Sequence, residues 1–138
     1  MVASLAIETL EGEWTIARLP GDAPVPDWAW SEIFSSVSRT SDELSIIAPS
    51  PQVPDGVKSE RGFRVLAVRG PLNFDAKGVL ADLAGAIAEA DIALLALSTF
   101  DTDILLVRQQ ELAAALAALA LRGHDVLDRR RYLRLAAS

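Results

Sequence analysis

Between Ile92 and Arg108 the chain reads IALLALSTFDTDILLVR, two apolar runs, ALLAL and ILLV, on either side of the polar knot Ser98-Thr99-Phe100-Asp101-Thr102-Asp103. Each run has the length of a buried strand. The knot has the composition of a tight connection, so the stretch predicts two paired strands with hydroxyl and carboxyl groups gathered at one sheet end. A fold with few catalytic side chains can recognise a small polar molecule at such a place.

The flanks extend this into a repeating order. Phe63–Val68 (FRVLAV) is apolar on both faces, as a largely buried strand is, and Arg69-Gly70-Pro71 ends it. A loop, Leu72-Asn73-Phe74-Asp75, leads into GVLADLAGAIAEADI, where Val79, Leu83, Ala86, Ile87 and Ala90 recur at helical spacing and Asp75 or Asn73 is the natural N-cap. After the opening stretch, Gln110-Glu111 starts a second helix with an apolar stripe of Leu112, Leu116, Leu119 and Ala120, closed by Arg122-Gly123-His124 as a basic last turn and glycine stop. Residues 125–135 supply an edge strand. The order strand, helix, strand, strand, helix, strand is the ferredoxin-like arrangement, an antiparallel sheet covered by two helices.

The first half reads as a reduced version of the same unit. Glu13–Leu19 alternates and stops at Pro20-Gly21. A loop restricted by Pro20, Pro24 and Pro26 follows, with Trp28 and Trp30 open to two readings, a wall over a pocket or plain core. Phe34–Arg39 and Leu44–Ala48 predict a hairpin around Thr40-Ser41-Asp42-Glu43. Pro49, Pro51, Pro54 and Gly56 then break regularity, so residues 49–61 read as a link. The expected organisation is α+β, with units at 1–61 and 62–138.

Composition narrows the function classes. Of 138 residues, 51% are apolar and 23% charged, enough to bury a core. There is no cysteine, hence no disulfide framework and no thiolate chemistry, which fits a cytoplasmic setting. No segment approaches the roughly 18 apolar residues of a membrane span, and the N-terminus lacks the pattern of a secretory signal. The net charge is −6, with 8 basic against 17 acidic residues up to position 121 and 5 against 2 thereafter. An acidic body argues against nucleic acid as a partner. The basic tail around Arg129-Arg130-Arg131 and Arg134 reads as a solvated terminus. There is no nucleophile elbow, no phosphate loop and no His-containing metal motif, and the single histidine, His124, sits where a helix C-terminus is capped. Asp101-x-Asp103 has no third ligand at metal spacing. The sequence therefore points away from an enzyme, a metal or a cofactor.

The chain resembles ACT domains, and in particular bacterial relatives of the CASTOR-type arginine sensors. The residues that carry the likeness are Val68–Asp75 with Gly78-Val79-Leu80, the STFDTD knot running into Leu105–Arg108, and Arg39–Ile46 in the first half. The resemblance covers residues 13 to about 124. It implies two tandem ACT-like units, the first reduced, acting as a non-catalytic sensor of an amino acid or similar small polar ligand, with a homodimer as the assembly and an unidentified regulated protein downstream. It also implies a site between ACT units. One wall would be Asn73, Phe74, Asp75, Gly78 and Val79; the other would be Ser98, Thr99, Phe100, Asp101, Thr102 and Asp103. Thr99, Phe100 and Asp103 match positions that line the amino-acid site of the sensors.

On the residues' own chemistry, the helix start at Gly78 could take a carboxylate on its open amides, and Asp103 or Asp101 an ammonium or guanidinium. Asp101 equally suits a hairpin turn, Asn73 and Asp75 a simple cap. The other function class is a ligand-free protein that keeps the fold for dimerisation.

Overall fold

The computed structural model describes residues 4–69 and 77–127. In chain order these form β1 (Ala6–Thr9), β2 (Trp14–Pro20), β3 (Ser36–Arg39), β4 (Glu43–Pro49), β5 (Lys58–Val68), α1 (Val79–Glu89), β6 (Leu95–Ser98), β7 (Asp103–Arg108), α2 (Leu112–Leu121) and β8 (Asp125–Leu127). Short 3-10 turns lie at Asp27–Ala29, Ser50–Gln52 and Gln109–Glu111. The chain divides into two compact units, Gly12–Phe63 and a second one made of Met1–Glu11 with Arg64–Ser138.

In the Gly12–Phe63 unit, β2 pairs antiparallel with β4, and β4 with β3 (Ile16↔Ile47, Ser38↔Ser45). The β3–β4 hairpin closes as its sequence predicts. Thr40 N–H donates to Glu43 O at 2.9 Å, and the Thr40 hydroxyl accepts the amides of Asp42 and Glu43. Alternation puts Leu44, Ile46 and Ala48 into a core with Ala17, Ala29 and Val53. The proline-rich loop is tied down by Arg39, which donates to the carbonyls of Gly21 and Ala23, and by Gln52 Nε2, which donates to those of Trp28 and Trp30. Trp28 packs on the core, whereas Trp30 is 58% exposed, so the two rings do not form one wall.

The stretch expected to be an irregular link, residues 49–61, is partly strand. Lys58, Ser59 and Glu60 pair with Arg18, Ala17 and Ile16, and a register shift brings Phe63 opposite Trp14. The start of β5 carries exposed charges, and these hid a strand whose partner supplies the order that its own composition does not.

The second unit runs β5, α1, β6, β7, α2, β8, the expected βαββαβ order of an α+β ferredoxin-like fold. It holds one strand more than expected. β1 lies between β5, to which it is antiparallel (Ile7↔Val68), and β8, to which it is parallel (Ile7↔Val126). The sheet is therefore mixed rather than antiparallel, and the chain up to Glu11 goes with the C-terminal unit instead of the N-terminal one. A four-residue strand with one large apolar side chain, Ile7, gives little periodicity to read; hydrogen bonding on both edges makes it.

Leu66 and Val68 of β5, Leu105 and Val107 of β7 and Ile7 share one face, and Leu83, Ala86 and Ile87 of α1 with Ala115 and Leu119 of α2 cover it. Two helix assignments change. Ala90 and Ala120 are exposed, and Ala115 completes the α2 stripe with Leu112, Leu116 and Leu119.

Both helices end in the same way. Ile92 N–H returns to Ile87 O and Asp91 N–H to Ala88 O; His124 N–H returns to Leu119 O and Gly123 N–H to Ala120 O. The turning residue is left-handed in each, Asp91 at φ 60° and Gly123 at φ 92°. Glycine adopts this conformation without a Cβ clash, and aspartate is among the few residues that tolerate it.

Candidate functional site

The STFDTD knot is the β6–β7 turn. Ser98 and Asp103 are the last paired residues. Thr99 N–H donates to Thr102 O at 2.8 Å, Thr102 N–H donates to the Thr99 hydroxyl at 3.1 Å, and the two hydroxyls lie 2.6 Å apart. With their hydroxyls spent on each other, Thr99 and Thr102 build the turn. Phe100 and Asp101 form its tip, Phe100 75% exposed and Asp101 exposed.

Asp103 differs from Asp101. It opens the buried strand β7 and is 9% exposed. Its Oδ1 accepts a 2.6 Å hydrogen bond from the Ser98 hydroxyl across the hairpin. No cationic side chain pairs with it among the described residues. A carboxylate sheltered to this degree and bonded to a neutral hydroxyl is short of counter-charge.

The start of α1 is capped by Gly78, not by a side chain. Gly78 has φ 80°, makes no side-chain cap bond, and its carbonyl accepts Asp82 N–H at 2.8 Å. The expected caps Asn73 and Asp75, and the candidate Phe74, lie outside the described residues. Val79 is partly buried against the core. α2 ends beside α1, with Arg122 reaching Asp82 in its first turn and Glu89 in its last, and three residues separate α2 from the end of β7, the strand that begins at Asp103.

A polar cluster at this end went unread in the sequence. Arg122 donates to Asp82 Oδ1 at 2.9 Å and pairs with Glu89 at 2.9 Å, while His124 Nε2 meets Asp82 Oδ2 at 2.8 Å. His124 caps α2 through its backbone N–H alone; its imidazole, 1% exposed, reaches α1 and the backbone of Leu5. Likewise Arg122 serves α1 carboxylates, not the carbonyls of its own helix. Side-chain targets across 40 residues of sequence leave no local signature.

The hydrogen bond from His124, then that of Arg122 and its charge, hold the Asp82 carboxyl below its ordinary 3.8 despite the opposing effect of desolvation. A folded value below the unfolded one contributes stability that is complete above the unfolded value and is lost as pH falls through the folded one. Asp82→Asn is therefore expected to lower stability at neutral pH and to flatten the acid limb of a denaturation-against-pH series below about pH 4. Identical acid limbs in both proteins would show that Asp82 does not carry this linkage.

Among the described residues no group of three or more His, Cys, Asp or Glu could hold a metal, and no helix is long and apolar enough to cross a membrane.

A family model for the ACT domain matches residues 58–120, and a model for an N-terminal domain matches residues 12–56. The mouse (Mus musculus) cytosolic arginine sensor for mTORC1 subunit 1 is 31% identical over 113 residues, which is 80% of this chain and 31% of that protein. The chain thus spans about a third of the length of this curated relative. The X-ray structure of an Agrobacterium tumefaciens protein superposes with a TM-score of 0.85 at 33% identity, covering 91% of this chain and 94% of that one. Clostridium acetobutylicum aspartate kinase shares the fold over 86% of this chain and 33% of its own, with a TM-score of 0.63 at 11% identity. The chain belongs to the ACT domain family and is related to the CASTOR-type cytosolic arginine sensors.

Proposed function

We propose that this protein is a non-catalytic, cytoplasmic regulatory module that binds a small amino-acid-like ligand at the end of the second unit where the STFDTD turn and the α1 start lie. Asp103 carries this reading: its carboxylate is sheltered, oriented by Ser98, and without a cation of its own among the described residues. A ligand ammonium or guanidinium would supply the missing charge through a charge-assisted hydrogen bond. The α1 start, with Gly78 in place of a capping side chain, offers backbone amides to the ligand carboxylate. Thr99 and Thr102 hold the turn that presents Asp103, and Phe100 and Asp101 stand at its rim. Asn73, Phe74, Asp75 and Val79 complete the proposed lining. The relative named as an arginine sensor makes arginine the first ligand to try. The test is a thermal-shift series over the common amino acids, in which a true ligand at about 100 times its Kd adds roughly 2.7 kcal/mol of stability; no shift with any of them removes the sensor reading.

A homodimer is the proposed assembly, and β6 supports it. Among the described residues this strand pairs with β7 alone, Leu95 is 47% exposed, and no charged residue occurs from Ile92 to Phe100. Sheet edges that stay solitary are guarded by charge, proline or a bulge; this one carries none of them. Leu95→Lys, at a half-exposed position that a monomer tolerates, is expected to convert a dimer to a monomer in light scattering. A dimer without any ligand shift would favour the second reading, a protein that acts through assembly alone, and a wild-type monomer at micromolar concentration would exclude the dimer and that reading with it.

A further inference from the structure

We infer that His124 is a proton-sensitive clasp for the N-terminal strand, holding Leu5 when the imidazole is neutral and releasing it when a proton is added. The hydrogen bonds fix the neutral tautomer. Leu5 N–H points at Nδ1 at 3.2 Å, and an amide can only donate there, so Nδ1 carries no hydrogen. The ring hydrogen therefore sits on Nε2 and is donated to Asp82 Oδ2 at 2.8 Å. Leu5 is gripped on its other side as well, because its carbonyl accepts Asp125 N–H at 2.8 Å, and the preceding Ser4 hydroxyl donates to Gly123 O at 2.8 Å. β1 starts at the next residue, so the clasp stands at the point where the strand enters the sheet.

The groups facing the imidazole decide what gives way. Among the described residues, Asp82 comes from α1; Arg122, bound to the other Asp82 oxygen and to Glu89, comes from the end of α2; β8 contributes the exposed Asp125; and the N-terminal segment offers the Leu5 amide and the Ser4 hydroxyl. With a neutral ring, Asp82, Glu89 and Arg122 sum to one negative charge, so a proton taken from water neutralises the cluster. That proton lands on Nδ1, the one free ring nitrogen, and turns an acceptor into a donor facing another donor. The Nε2 side is held by a carboxylate that Arg122 anchors, and the bond there strengthens when the ring is cationic. The Leu5 side is held only by neutral hydrogen bonds, from Asp125 N–H to its carbonyl and from Ser4 to Gly123, so Leu5 moves.

The test is an NMR pH series on the full chain between about pH 8 and about pH 5, the range in which histidine serves as a switch. Ring nitrogen shifts report the tautomer and its protonation, and hydrogen-exchange protection factors report Leu5, with Val107 as the core reference. The expected result is an Nε2–H tautomer at the alkaline end and a fall of at least about tenfold in Leu5 protection that tracks ring protonation while Val107 stays protected. His124→Asn, which has an acceptor but no titration, should make Leu5 protection flat with pH at whatever level it settles. The inference is overturned by a ring that protonates without change at Leu5, by an Nδ1–H tautomer, by a ring that protonates only when Val107 protection is lost too, or by an unaltered pH response in His124→Asn.

Discussion

Asp103→Asn is expected to abolish the stabilisation that a bound amino acid confers, a loss of roughly 2.7 kcal/mol at a ligand concentration about 100 times the wild-type Kd. The substitution keeps size and hydrogen-bonding shape, so Ser98 still has an acceptor at 2.6 Å and the β6–β7 turn, built by Thr99 and Thr102, is untouched. What it removes is the negative charge. Without ligand, the variant should be as stable as the wild type or slightly more so, because a sheltered carboxylate without a cation costs free energy that an amide does not. Calorimetry and thermal shift on the two proteins side by side give the answer. A variant that keeps the wild-type ligand response places the binding elsewhere.

Trp14→Ala is expected to cost about 3–5 kcal/mol, the range for removing a large aromatic from a packed core. Trp14 is fully buried on β2, its ring 5.8 Å from that of Phe34 at 57°, and it stands opposite Phe63 where the β2–β5 register shifts. Such tilted ring pairs contribute about 0.5–1.5 kcal/mol beyond the area they bury. Nothing small enough to enter the space can replace those contacts. Trp30→Ala, by contrast, removes a ring that is 58% exposed and should fall within about 0.5 kcal/mol of the wild type. Urea denaturation of both variants checks the pair; a Trp14 variant that loses under about 1 kcal/mol would mean that the cavity collapses freely.

The contrast between those tryptophans marks what the sequence could convey. The alternation of Glu13–Leu19 placed Trp14 in a strand, and the prolines placed Trp30 in a loop, but only the fold tells that the strand lies between two partners and that the Trp30 ring stays at the surface. Periodicity made the βαββαβ order of the second unit legible, because α1, α2, β5 and β7 each bury a regular set of side chains. It failed for β1 and for Lys58–Arg61, where the strand is imposed by its neighbours. At the candidate site the same limit holds in another form. The tight turn and the place of Asp101 in it are local and were readable, whereas Thr99 and Thr102 were read as lining and the structure makes them the pair that builds the turn. The Ser98–Asp103 bond and the Asp82–Arg122–His124 cluster depend on residues brought together by the sheet and by helix packing. Spacing along the chain says nothing of them.

The place of β1 has a consequence for how the molecule can be built. Ser4 bonds Gly123 across 119 residues, and the strand that follows it fills a slot whose other wall, β8, is among the last parts of the described chain to be made. During synthesis the Gly12–Phe63 unit has all its strands as soon as Phe63 is out, whereas the other unit must wait with an open slot until Asp125–Leu127 arrives. Contacts of such long sequence separation slow folding. The same threading means that no single cut separates two whole units: cleaving after position 61 cuts β5 itself and takes β1 away with the wrong fragment, and in the C-terminal piece what remains of β5 faces β8 across an empty strand.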